Sequence, residues 1–242
     1  QTTEYEILSG LVGSEMCIRD SNRALEYYGK TLKIDHGHIR ARLNRCSIYM
    51  ALDEGRKALD DAEILLDLAP NFTLARFRKA EAGMMLGEWA KAREDLDIVL
   101  ERAPHHHQAM TQLAACFIAL GRPERAEAPL NDALRIAPNH APAWHQRGLL
   151  YLEWGRDDNA LSDFEAAVKS EADHLDAHLH IAAMHHEAER FDQAAAAWRA
   201  VLNLDPDHVV AKTRLEECAV SYTHLRAHET REDRVCRLLV EK

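Results

Sequence analysis

Alanine recurs every 34 residues at Ala24, Ala58, Ala92, Ala126, Ala160 and Ala194, and again at Ala41, Ala75, Ala109, Ala143, Ala177 and Ala211. A fixed period of this length marks a repeat array. Each unit is one supersecondary element that cannot bury its apolar face alone, so neighbours stack to make a continuous core. Such stacks offer long binding faces rather than enclosed pockets, which favours a binding module over an enzyme.

Within the unit Thr73 to His106, the apolar residues Ala75, Phe77, Ala80, Ala82, Met84 and Leu86 fall mostly at three and four spacing. Gly87 interrupts them, and Trp89, Ala92, Leu96, Val99 and Leu100 resume the pattern up to Pro104. This predicts a helical hairpin. Gly87, Gly121 and Gly155 share one phase, as expected where the first helix reverses through a residue of positive φ. Pro70, Pro104, Pro138 and Pro206 share another and stop each second helix. The alanine columns mark close helix crossings, where only a small side chain fits. Pro129 falls inside a second helix and is expected to kink it by removing a hydrogen bond to Arg125, whereas Pro123 is harmless near its start.

The two-helix unit with small, aromatic and proline columns resembles the tetratricopeptide repeat. The fullest match is Ala141 to Ala172, with Trp144, Gly148, Tyr151, Gly155, Ala160, Phe164 and Ala167 at the motif positions and Ala172 in place of the closing proline. The resemblance implies an all-α, right-handed α-solenoid of antiparallel helix pairs over residues 21–219. Five units are complete: 39–72, 73–106, 107–140, 141–174 and 175–208. Half units lie at 21–38 and 209–219.

The ends break the pattern. Gly10 and Gly13 stand where a first helix should run, and Glu15 falls in the column of Tyr49, Phe117 and Tyr151; the phase is lost again after Ala219. Residues 1–20 and 220–242 resemble peptides translated from sequencing adapters at read ends and are expected to lie outside the fold. Divergent capping helices are the alternative. Cys218, His224, His228 and Cys236 have zinc-like spacing, but three of the four fall in that tail, so no metal is expected.

Formal net charge is −10, and about −8 over 21–219. An acidic array repels phosphate backbones, which argues against nucleic-acid binding. Five cysteines imply no disulfide framework, and Cys46, in the column of Ala80, Ala114, Gly148 and Ala182, reads as a small core residue. No apolar run reaches the length of a membrane span, and no signal peptide is visible, though a truncated start would have lost one; cytoplasm is the default location. There is no phosphate loop, nucleophile elbow or His-Glu-x-x-His helix, so no catalytic residue and no cofactor is expected.

In proteins resembling this repeat, first helices line the concave face. One outward column there reads Asn44, Arg78, Gln112, Gln146, His180 and Arg214, without a carboxylate, and Arg40 flanks it. Arg40, Asn44, Arg78, Gln112, Gln146 and His180 are the candidate peptide-binding residues, since multi-donor side chains suit peptide backbone and carboxylates. A neighbouring column of Leu43, Phe77, Thr111, His145 and Leu179 offers apolar contacts. The expected partner is a protein or peptide with an acidic segment. Chaperone-tail binding is not expected, because the family's cationic clamp positions hold Leu43, Ser47, Arg78, Gln108 and Gln112, with one cation among them. The many histidines, His105 to His107 and His174 to His186, read mainly as exposed link and helix residues, with a pH-sensitive surface as a minor alternative. The leading expectation is a protein–protein interaction scaffold. The alternative is the non-catalytic repeat region of a larger enzyme, such as a transferase. A stack without polar caps exposes apolar surface, so self-association is a further expectation.

Overall fold

Each stretch of helical periodicity becomes a helix, and each glycine or proline phase becomes a break. The computed structural model describes residues 15–219. In order these are α1 (Glu15–Ile34), α2 (Ile39–Ala51), α3 (Gly55–Leu68), α4 (Thr73–Met85), α5 (Trp89–Arg102), α6 (His107–Ala119), a 3-10 turn (Pro123–Arg125), α7 (Glu127–Ile136), α8 (Ala141–Glu153), α9 (Asp157–Ser170), α10 (Leu175–Glu187), α11 (Phe191–Leu204) and α12 (209–219). There is no strand among the described residues. The fold is an all-α solenoid of helix pairs. The reading of residues 1–20 and 220–242 lies mostly outside the described residues, although α1 begins at Glu15, ahead of the Ser21 boundary.

The chain divides into two compact units, one ending at Pro129 and the other beginning at Leu130. In the first, α2 packs on α3, α3 on α4, α4 on α5 and α5 on α6, while successive first helices also touch, α2 with α4 and α4 with α6. In the second, α8 packs on α9, α9 on α10 and α10 on α11.

The alanine columns are the packing seams. Ala58, Ala92, Ala126, Ala160 and Ala194 are buried, as are Ala41, Ala75, Ala109, Ala143, Ala177 and Ala211. Cys46, Ala80, Ala114 and Ala182 are fully buried in the small-residue column, and burial pushes the Cys46 thiol up to about 12. Replacing Ala160 by Leu is therefore expected to cost roughly 1–3 kcal/mol by overpacking, while the same change at exposed Ala196 should be nearly neutral. Urea unfolding of the two variants checks this; equal costs would show that the seam has been assigned to the wrong phase.

Gly87, Gly121 and Gly155 adopt φ of 74°, 69° and 65° at the hairpin reversals. Asp53 and Glu189 hold the same phase with φ of 59° and 56°, so the reversal is imposed even where no glycine relieves it. The expected kink at Pro129 is not what forms. The second helix of its hairpin starts late instead, with a 3-10 turn at Pro123–Arg125 and α7 from Glu127. Pro129 is then the third residue of α7, where an N–H would have no intrahelical partner, and it costs no helical hydrogen bond.

Candidate functional site

The candidate residues stand on first helices, but their neighbours give them unequal freedom. In the first unit, Arg40 and Asn44 lie on α2, and Asn44 Nδ2 donates to the Tyr28 hydroxyl on α1 at 3.2 Å. Tyr27, Tyr28, Thr31, His38, Arg40 and Asn44 line a cleft of about 190 Å³. Arg40 is exposed and forms no ion pair with any described residue. His38 Nδ1 accepts from the Ala41 N–H, which leaves its proton on Nε2. The lining thus offers a guanidinium, an imidazole N–H, an amide and hydroxyls, and no carboxylate.

Arg78 is less available. Its Nη1 is held 2.7 Å from Glu81 Oε2, three residues along the same helix. The carboxylate missing from the sequence column is therefore supplied by a neighbouring one, and burial, opposed by Arg78, raises the Glu81 carboxyl above its ordinary value. Gln112 is half-buried on α6. Of the column expected to give apolar contacts, Phe77 and Thr111 are buried and belong to the core rather than the surface.

In the second unit, Gln146 Oε1 on α8 is buried without a hydrogen-bond partner among the described residues. His180 stacks on Phe164, with ring centroids 4.8 Å apart and planes 14° from parallel. Burial is the main cause holding His180 below the usual imidazole value, with His174 adding and Asp176 opposing. His145 lies 4.9 Å from His174 and 5.4 Å from His180 between ring centroids, and burial, then those two rings, lower it to about 4. His180 is therefore a neutral aromatic contact rather than a charged one. A separate cleft of about 550 Å³ near Gly155, Asp157, Met184, His185, Glu187 and Arg190 includes none of the candidate residues. Among the described residues no group of three or more His, Cys, Asp or Glu is placed to hold a metal. Of the four zinc-spaced residues only Cys218 is described; it is buried, 3.4 Å from His186 Nδ1. No helix among the described residues is long and apolar enough to cross a membrane.

Two further columns carry recurring polar contacts, and neither is among the candidates that the sequence suggests. Asp61, Asp95 and Asp163 stand in one 34-residue phase on second helices, and each is buried. Asp61 takes Arg42 at 2.9 Å and Arg45 at 2.6 Å. Asp95 takes Arg76 at 2.8 Å and Lys79 at 3.1 Å, and Asp163 takes Arg147 in a two-pronged pair at 2.7 and 2.8 Å. The second column is histidine: His38, His106, His174 and His208 each accept a backbone N–H through Nδ1. Both have structural roles, and the 34-residue period that locates the alanines locates them as well.

The hairpin geometry, the seams and the reversals are those of a helix-pair repeat, and comparison with known families decides which. Residues 83–147 match one family profile and residues 145–209 another, both described as the tetratricopeptide repeat. The chain is a tetratricopeptide-repeat protein. Its repeats are those of a protein-interaction scaffold. TTC0263, a tetratricopeptide-repeat protein of the thermophile Thermus thermophilus, is similar in structure: 25% identity, TM-score 0.64, covering 75% of this chain and 99% of that one. YrrB, described as a tetratricopeptide-repeat protein with an unusual peptide-binding site, is 20% identical with TM-score 0.53, covering 78% and 97%. The Cut9–Hcn1 assembly of APC/C is 16% identical with TM-score 0.73, covering 84% of this chain and 40% of that one. At these identities the last two show the fold alone. A search of curated proteins gave no match.

Proposed function

We propose that this tetratricopeptide-repeat protein is an adaptor that holds an acidic segment of another protein against its first helices, with the Arg40–Asn44 cleft as the charged anchor. The observation that carries the reading is the cleft: a guanidinium with no ion pair among the described residues, beside an amide, a phenol and an imidazole N–H, with no lining carboxylate, in a chain of net charge −10. Acidic side chains are the partner such a lining attracts, because hydrogen bonds assisted by charge are the strong ones. Within the first unit Gln112 supplies an amide for a bound backbone. In the second unit, taken by itself, Gln146 offers an amide and His180 an aromatic face. Arg78 is a lesser contributor than its charge suggests, since Glu81 already engages it. That YrrB has a peptide-binding site supports the class of ligand.

The test is fluorescence anisotropy of the full chain with labelled Asp/Glu-rich and Lys-rich peptides of equal length. The acidic peptide should bind and the basic one should not, with affinity falling as salt rises. Arg40→Ala should weaken acidic-peptide binding about tenfold or more, without a change in melting temperature, since a charge-assisted contact contributes about 1.5–3 kcal/mol. Binding of both peptides alike, or an unaffected Arg40→Ala variant, would overturn the proposal.

A further inference from the structure

Five first helices or their half-unit equivalents begin after a histidine in one phase: His38, His106, His140, His174 and His208. In four of them the imidazole is the N-cap. Nδ1 accepts from the N–H three residues on, at 3.1 Å from Ala41, 3.1 Å from Ala109, 3.4 Å from Ala177 and 3.2 Å from Ala211. His140 is the exception; its side chain makes no cap bond to α8, whose first turn holds a proline. The four alanines are themselves buried members of a packing seam. Each cap therefore ties a titratable ring to the point where one first helix meets its neighbours.

A capping histidine differs from the usual Ser, Thr, Asp or Asn in one respect. Its acceptor is a lone pair that a proton can take. A protonated ring has N–H groups at both nitrogens and can accept nothing, so the backbone N–H loses its partner and a positive charge is left at the positive end of the helix dipole. We propose that the histidine caps make the array acid-sensitive, so that the first helices lose their starts together and the stack loosens as the pH falls from neutral toward 5.

At His106 the surroundings favour this direction; the groups beside the other caps are as follows. His38 shares its cleft with Tyr27, Tyr28 and the cation Arg40. His106 packs on Phe77 at 4.7 Å and is held below the usual imidazole value chiefly by burial, with His107 and Arg78 adding and an interaction with its own backbone, not the Ala109 cap, opposing. His174 packs on His145 of α8, near His180 and Asp176 of α10. Beside His208 stand Asp205, Asp207 and Lys212, of which Asp207 and Lys212 pair with each other. For a base whose folded value is depressed, as at His106, the unfolded chain binds the proton more readily. Stability is thus fully present above the ordinary value of about 6.5 and is lost as the pH falls below it.

The experiment compares the full chain with a variant carrying His38→Asn, His106→Asn, His174→Asn and His208→Asn, since asparagine caps as well and does not titrate. Thermal melts followed by circular dichroism at pH 7.5 and pH 5.0 should show the unaltered chain losing about 8 °C or more, and the variant less than half as much. An equal loss in both proteins would overturn the proposal, because His145, His180 and His185 titrate in both. A second measurement needs no variant. Long-range proton–nitrogen spectra of the unaltered chain at pH 7.5 should show the four rings as the Nε2–H tautomer, whereas the Nδ1–H form at these rings would overturn it.

Discussion

Asp61→Ala is expected to destabilise the protein by about 3–5 kcal/mol, the usual consequence of removing one partner from a buried ion pair. Asp61 is 2 % exposed and holds two guanidiniums, those of Arg42 and Arg45. Without it Arg42, itself buried, keeps a single partner, the His36 carbonyl at 2.9 Å. The effect should therefore exceed that of breaking an exposed pair such as Lys30–Glu26, whose attraction is screened by solvent. A useful contrast exists within the chain. In the unit 107–140 the corresponding columns hold Met110, Leu113 and Pro129, so the whole ion pair is replaced by apolar residues rather than left half-made. Changing Asp61, Arg42 and Arg45 together to Leu, Met and Leu should accordingly cost far less than Asp61→Ala alone. Urea midpoints of the single and triple variants measure this, and a triple variant as unstable as the single one would show that the pair, not the unpaired charge, is what matters.

How far the sequence can be read follows from what a period can and cannot encode. The alanine columns are almost all buried as expected, because a small side chain at a crossing has one physical explanation. The column of Cys46 alone suffices to place it in the core. Pro129 does not kink its helix because its effect depends on where α7 begins, and that start is moved to Glu127 by the 3-10 turn before it. Arg78 looks free in its column because Glu81 belongs to a different column on the same helix, one turn away, and columns do not report contacts across phases. Phe77 and Thr111 look like surface for the related reason that the boundary between a buried stripe and a groove is a matter of side-chain packing. The capping histidines are legible in principle. They look like scattered link residues until their common spacing is set beside the backbone N–H groups they accept.

The reversal of a substitution's sign is the sharpest expected result in the second unit. Gly148 lies in the interior of α8, where glycine is normally worse than alanine by about 1 kcal/mol. Here the ordering should invert. A Cβ built on Gly148 would stand 2.7 Å from Phe164 Cε1 and 2.9 Å from Cδ1, closer than carbon atoms approach, and Phe164 is a fully buried ring stacked on His180 that has no room to retreat. Gly148→Ala should therefore cost roughly 1–3 kcal/mol by overpacking. Phe164→Ala should cost about 3–5 kcal/mol through the cavity it leaves. The two act on the same space, so their effects cannot add: in the Phe164→Ala background the methyl of Gly148→Ala enters the vacated volume, and helix propensity alone remains. Gly148→Ala should then be neutral or stabilising. Urea unfolding of the four proteins of this cycle gives the coupling directly. Additive costs would mean that α8 and α9 move apart on substitution and that the close approach of Gly148 to the ring is not what sets the hairpin's spacing.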